Sequence, residues 1–223
     1  MTDHPSKTLA GFAANLCFED IPKPVLRYAE DLLLDWFGSA LAGNQTQTTS
    51  YWNGSTGQAL IKALNGSQSA KNLGSWLAAN FNNLFGADAG TANNLTGMTN
   101  AQVASYYQTL YANSAKKAEV EALALALAVY VTNSNLAGTV GTSYGFAVST
   151  TGLGAATTNV GVNGAAFGIN NNTVMTITEL LSRANARARK GLLWDANGDG
   201  SLSAAETVLR NQVYSLFGAI NNT

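Results

Sequence analysis

KKAEVEALALALAVYVT, residues Lys116–Thr132, reads as a helix with apolar side chains on more than one side. A surface helix carries one apolar stripe, whereas a helix that is apolar around its girth needs neighbours all round. Ala and Leu, which dominate the run, are also strong helix formers. The segment therefore predicts a buried central helix, and with it a mainly helical fold.

Working outward, the same 3.6-residue period recurs upstream. Gln58–Leu64 contributes Leu60, Ile61 and Leu64, and Ala70–Phe85 places Leu73, Trp76, Leu77, Phe81 and Leu84 at helical spacing. Thr99 precedes Val103, Tyr106, Tyr107, Leu110 and Tyr111. The aromatic residues in these runs are expected to pack in the core. Downstream, Gly138–Gly168 loses the helical period and is rich in Gly and β-branched residues. Tyr144–Thr150 and Thr157–Val162 are expected to form a β-hairpin, with Gly164–Ile169 as a third short strand or an extended return. The fold class is therefore mainly α with a small antiparallel β element (α+β).

The start of the chain is organised separately. Ser6 caps a first expected helix bearing Leu9, Phe12 and Leu16, and Pro24 suits the first turn of a second. Val25, Tyr28, Leu32, Leu33 and Trp36 form the apolar face of that second helix. Residues 1–43 are thus expected to be an N-terminal helical pair, 44–51 (NQTQTTSY) a linker, and 52–223 the main domain. The apolar faces of the pair, including Trp36 and Phe37, predict that it covers something. That is this core, a second copy or a protein partner.

Composition excludes several chemistries. Charged residues make up 11% of the 223-residue chain and the formal net charge is −1. No basic block neutralises phosphates, which argues against nucleic-acid binding. Cys17 is the only cysteine and His4 the only histidine, so no intramolecular disulfide, zinc cluster or His-based triad is available. No stretch reaches bilayer-spanning length, and Met1–Lys7 does not open a signal peptide. Arg183, Arg187, Arg189 and Lys190 read as cations loading a helix C-terminus.

The segment that carries chemistry is DANGDGSLSAAE, Asp195–Glu206, which follows the twelve-position calcium loop throughout. Asp195, Asn197 and Asp199 offer side-chain oxygens at positions one, three and five. Ser201 offers its carbonyl at position seven, Ser203 acts directly or through water at nine, and Glu206 closes the site as a bidentate ligand at twelve. Gly200 stands where the chain must turn sharply, which only glycine does cheaply. Thr176 and Glu179 form a capping box for an incoming helix with Leu180, Leu181 and Ala184. An outgoing helix from about Ala204 carries Val208, Leu209, Val213, Leu216, Phe217 and Ile220. A C-terminal EF-hand-like helix–loop–helix holding Ca2+ is expected, with Trp194 packing beside it. Only one hand is evident, which suits a structural ion rather than a sensor's paired hands.

Two family resemblances follow from longer stretches. FEDIPKPVLRYAEDLLLDWFGSALAG, Phe18–Gly43, resembles the start of the MmgE/PrpD family, which includes 2-methylcitrate dehydratase. The resemblance covers about Leu9–Gly43 and implies descent from cytoplasmic lyases acting on small polycarboxylic acids. The family's catalytic residues lie downstream of this segment, and none is carried over. WNGSTGQALIKALNG, NLTGMTNAQVASYYQTLY, LALALAVYVTNSNLAG, YGFAVSTTGLGAATTNVGVNGAAFGI and TVMTITELLSRANARA, within Thr49–Thr223, resemble a domain of large bacterial exoproteins. That similarity implies an extracellular or cell-surface setting and a structural or anchoring role. Together with the loop, it leads to the expectation of a non-enzymatic, calcium-stabilised module of a bacterial surface or secreted protein. The alternative is a remnant or accessory subunit of an MmgE/PrpD-like lyase in the cytoplasm.

Overall fold

The computed structural model describes residues 21–30 and 45–223. The chain divides into two compact units, Met1–Gly43 and Asn44–Thr223. In the first, residues 23–30 are helical, and Pro22 O accepts from Val25 N and Leu26 N at 2.8 and 3.2 Å. Pro24 lies in the opening turn, where its missing N–H costs nothing. The rest of the expected helical pair, with His4, Cys17, Trp36 and Phe37, lies outside the described residues.

The second unit is mainly helical with two small antiparallel sheets. Its helices are α1 (Thr49–Asn53), α2 (Ser55–Ala63), α3 (Asn72–Asn80), α4 (Asn82–Phe85), α5 (Asn100–Ala112), α6 (Lys117–Thr132) and α7 (Ser134–Ala137). After β1 (Thr157–Asn159) come α8 (Gly164–Phe167), β2 (Val174–Thr176) and α9 (Ile177–Ala186). The hairpin β3 (Ala188–Arg189) and β4 (Leu192–Leu193) then leads to α10 (Ala204–Asn221). Short 3-10 turns join several of these. Residues from Gln45 onward belong to this unit: Thr46 is buried and donates to Thr223 O at 3.2 Å, and Thr48 caps α1 through Tyr51 N.

The central helix is the axis of the unit. Every residue of α6 from Ala118 to Thr132 is buried, with α10, α5, α1, α7 and α9 packed around it. The alanines let neighbouring backbones come close while Leu123, Leu125 and Leu127 fill the space between them. At its end, Thr132 Oγ1 donates to Ala128 O at 2.7 Å and accepts from Leu153 N at 2.8 Å, so the chain beyond is tied back to the helix. No helix among the described residues is long and apolar enough to cross a membrane.

Two expectations are corrected. The helix expected over Ala70–Phe85 is broken at Phe81, whose φ of −130° and ψ of 56° separate α3 from α4. The break turns Phe81 edge-on against Trp76 and Phe85, and the freed N–H groups of Asn83 and Leu84 are capped by Asn185 Oδ1 at 3.0 and 3.1 Å. The β element also pairs differently. Thr157–Asn159 pairs with Val174–Thr176, whereas Ser149 makes only a single parallel bridge with Asn133 at the end of α6. Gly152 explains the difference: its φ is +59°, and a Cβ there would meet Asn133 N at 2.9 Å. The segment expected as one hairpin strand is therefore docked on α6, and Gly164–Phe167, expected as strand or extended return, is a helical turn.

One carboxylate in this core is poorly placed. Glu121 is buried on α6, and Asn221 Nδ2 donates to its Oε2 at 2.7 Å, while Asn221 Oδ1 has no partner among the described residues. Burial raises the pKa of Glu121, opposed more weakly by Asn221 and Lys117. A raised folded pKa means that the folded state holds the proton more tightly than the unfolded chain. The cost of ionising Glu121 thus grows as pH rises from the unfolded to the folded pKa and then stays constant. Glu121→Gln is expected to be more stable than the parent at neutral pH, with the advantage shrinking on acidification. Urea unfolding at pH 7 and near pH 4 would check the sign.

Candidate metal centre

The loop Asp195–Glu206 lies between two elements that the sequence positions firmly. Thr176 caps α9 by accepting from Glu179 N at 3.2 Å, while Glu179 Oε2 accepts from Thr176 N at 2.9 Å. Ser203 and Glu206 repeat the same reciprocal box at the start of α10. The capping boxes thus set the start of each helical arm.

Between α9 and the loop the chain makes a hairpin that periodicity did not indicate. Lys190 and Gly191 have φ of 48° and 73°, the twin left-handed pair of a two-residue turn. This corrects the expected cationic helix end. Helix α9 stops at Ala186 with Arg187 as its cap, Arg189 lies on β3, and Lys190 is in the turn. Only Arg183 is in the last helical turn. The Lys-Gly pair was a weak sign of the hairpin because Asn or Asp more often leads such turns.

Trp194 then swings the chain into the loop with φ of +61°, a conformation costing roughly 1–3 kcal/mol for a bulky residue. Its ring holds it there. Trp194 Nε1 donates to Ala166 O at 3.1 Å, and the Arg187 guanidinium lies 5.3 Å from the ring centre.

The ligand pattern has the following geometry. Asp195 is fully buried, and its two oxygens accept from Gly198 N at 2.8 Å and Gly200 N at 2.9 Å. Asn197 Oδ1 accepts from Asp199 N at 3.1 Å, and Asp199 Oδ1 accepts from Ser201 N at 2.7 Å. Asn197 Nδ2 donates to Asp199 Oδ2 at 2.8 Å. Glu206 joins the loop ends: its Oε1 accepts from Ala196 N at 2.9 Å and its Oε2 from Ser203 N at 2.8 Å. These bonds, those from Ser203 first, lower the Glu206 pKa. The stabilisation from Glu206 is present above the unfolded carboxyl pKa and is lost as pH falls through the lower folded value. Gly198 and Gly200, at φ of 73° and 85°, provide the reversals that keep both N–H groups aimed at Asp195.

Among the described residues, no three His, Cys, Asp or Glu side chains come together as a group able to hold a metal ion. The loop carboxylates are satisfied by backbone N–H groups, and Glu206 in particular is engaged in capping. A bidentate closure on an ion therefore requires Glu206 to give up bonds to Ser203. Asp195 fits a cation best. A buried carboxylate without a counter-charge is costly, and no Lys or Arg among the described residues is within ion-pair distance of it. Lys190 Nζ instead binds Gly198 O at 3.0 Å.

No protein-family model, curated protein or solved structure matches the chain.

The residue that sequence reading missed is Glu119, which anchors both arms of the loop to the core. Its Oε1 accepts from Leu193 N at 2.8 Å and from Arg210 Nε at 3.2 Å, and its Oε2 pairs with Arg210 Nη2. Leu193 lies just before the loop and Arg210 on the helix after it. Glu119, Leu193 and Arg210 are distant in sequence, and no local spacing links them.

Proposed function

We propose that Asp195–Glu206 binds Ca2+ and that the chain serves as a non-enzymatic, calcium-stabilised structural or binding module of a secreted or cell-surface protein. The observation that carries this reading is Asp195. Its carboxylate is buried at position one of a complete oxygen-ligand pattern, held by backbone N–H groups and with no Lys or Arg among the described residues at ion-pair distance. Asn197, Asp199, the Ser201 carbonyl, Ser203 and Glu206 would supply the remaining oxygens. A hard, flexible oxygen set of this kind suits Ca2+ better than the smaller Mg2+, which demands a tight octahedron. A sparsely charged surface rich in Asn, Thr and Gly, and a single hand, agree with a site that stays loaded where calcium is abundant.

Ion binding to the folded loop stabilises it by linkage, about 2.7 kcal/mol at a hundred times Kd. Calorimetry of the full chain in calcium is therefore expected to give a higher Tm than in chelator, with magnesium much less effective. Glu206→Ala is expected to abolish the increment. Coincident melting curves for the parent in calcium and chelator would overturn the calcium reading. Recovery of the intact protein only from cytosol, on fractionating its native cells, would overturn the surface assignment.

A further inference from the structure

The sequence contains four Asn–Gly pairs: Asn53–Gly54, Asn65–Gly66, Asn163–Gly164 and Asn197–Gly198. Such a pair is chemically exposed, because glycine has no Cβ to shield its backbone nitrogen from the preceding side-chain amide. Reaction requires that nitrogen to reach the Asn Cγ and the amide to rotate towards it. Hydrogen bonds that hold either group prevent this.

Three pairs are held by the packed body of the protein. Gly54 N donates to Ser50 O and Tyr51 O at 2.9 and 3.0 Å, at the end of the helix that buries Trp52. Asn65 has both ends of its amide fixed, accepting from Tyr130 Oη and donating to Leu136 O at 2.8 Å each. Gly164 is buried in helical conformation, its N–H bound to Asn171 Oδ1 at 3.1 Å. A Cβ on it would meet Asn170 O at 2.5 Å. Asn197–Gly198 differs. Asn197 is exposed, and its bonding partner Asp199 and that of Gly198, Asp195, all lie within the same five residues. The bonds on the reacting groups there come from within the loop itself, and from outside it Lys190 Nζ reaches only Gly198 O.

We propose that Asn197 is a deamidation site gated by the order of the calcium loop, so that losing the ion opens position three to irreversible conversion. The gating rests on the calcium reading above, whereas the preference for Asn197 over the other three sites does not. In the reaction, Gly198 N gives up its proton to hydroxide and attacks Asn197 Cγ. The N–Cγ bond forms, the Cγ–Nδ2 bond breaks, and Nδ2 leaves as ammonia with a proton from water, giving a cyclic imide. Water then opens the ring. Attack at Cγ breaks its bond to Gly198 N and yields aspartate. Attack at the backbone carbonyl yields isoaspartate, with the chain running through Cβ and Cγ. Aspartate adds a carboxylate to those of Asp195, Asp199 and Glu206. Isoaspartate lengthens the loop backbone and pulls the N–H groups of Gly198 and Gly200 away from Asp195.

The test is to incubate the full chain at mildly alkaline pH with calcium or with chelator, and to follow all four sites by peptide mass mapping. Asn197→Asp, made directly, marks the aspartate product, and enzymatic carboxyl methylation marks isoaspartate. In chelator, conversion at Asn197 is expected to run several-fold ahead of Asn53, Asn65 and Asn163, and calcium is expected to slow it several-fold. Equal conversion at all four sites, or faster conversion elsewhere, overturns the site. Selective conversion at one rate with and without calcium, in a protein whose Tm calcium does raise, overturns the gating alone. The same result without a Tm increment overturns the gating together with the calcium reading.

Discussion

Arg210→Ala is expected to lower the unfolding free energy by about 3–5 kcal/mol, the usual cost of breaking a buried ion pair from one side. Glu119 is the member that cannot escape: its side chain is 1% exposed, against 14% for Arg210. Without Arg210, the Glu119 carboxylate loses its ion-pair partner in the core and keeps only the Leu193 N–H. Glu119→Ala is the milder change. Arg210 retains its bond to Ala115 O at 2.6 Å and can turn towards solvent, leaving mainly an unsatisfied Leu193 N–H. The expected order is therefore Arg210→Ala worse than Glu119→Ala. Replacing both with apolar residues of similar volume is expected to cost less than Arg210→Ala, because neither charge is then stranded. Urea unfolding with an unchanged m value would establish all three. The reverse order of the single variants would mean that the pair is not the clamp on the loop arms.

The parts of this fold legible in the sequence are those whose cause is local. The α6 helix follows from propensity and from an apolar pattern with no polar face, and its observed bounds differ by one residue from Lys116–Thr132. Thr176 caps α9 as its spacing to Glu179 implies, because a capping box is complete within four residues. The failures share a different cause. Phe81 leaves helical geometry to satisfy contacts with Trp76 and Phe85, and Asn185, more than a hundred residues away, caps the helix that restarts after it. Ser149 was expected in a hairpin, yet its N–H donates to Thr132 O at 2.9 Å, a partner supplied by the end of α6. At the candidate site, the ligand types and the glycine reversals were readable in order along the chain. The Glu119 clamp was not, since it depends on which distant N–H groups the fold brings near, and the Ser203–Glu206 capping box was hidden behind the ligand pattern that the same two residues complete.

Leu125→Ala is expected to destabilise the protein by about 2–5 kcal/mol, the range for a fully buried leucine whose surroundings only partly collapse. Leu123, Leu125 and Leu127 alternate with Ala124, Ala126 and Ala128, so successive leucines point about 200° apart around the helix axis. All six are completely buried. Neither set faces solvent. Ala126→Leu should consequently also destabilise, by about 1–3 kcal/mol, because the added carbons have no void to enter. A one-sided amphipathic helix would behave differently, since enlarging a residue on its outer face changes little. Chemical denaturation of the two variants would separate these cases. A stable Ala126→Leu beside a damaged Leu125→Ala would mean that α6 has a free face, and that the all-round burial of this helix does not organise the domain.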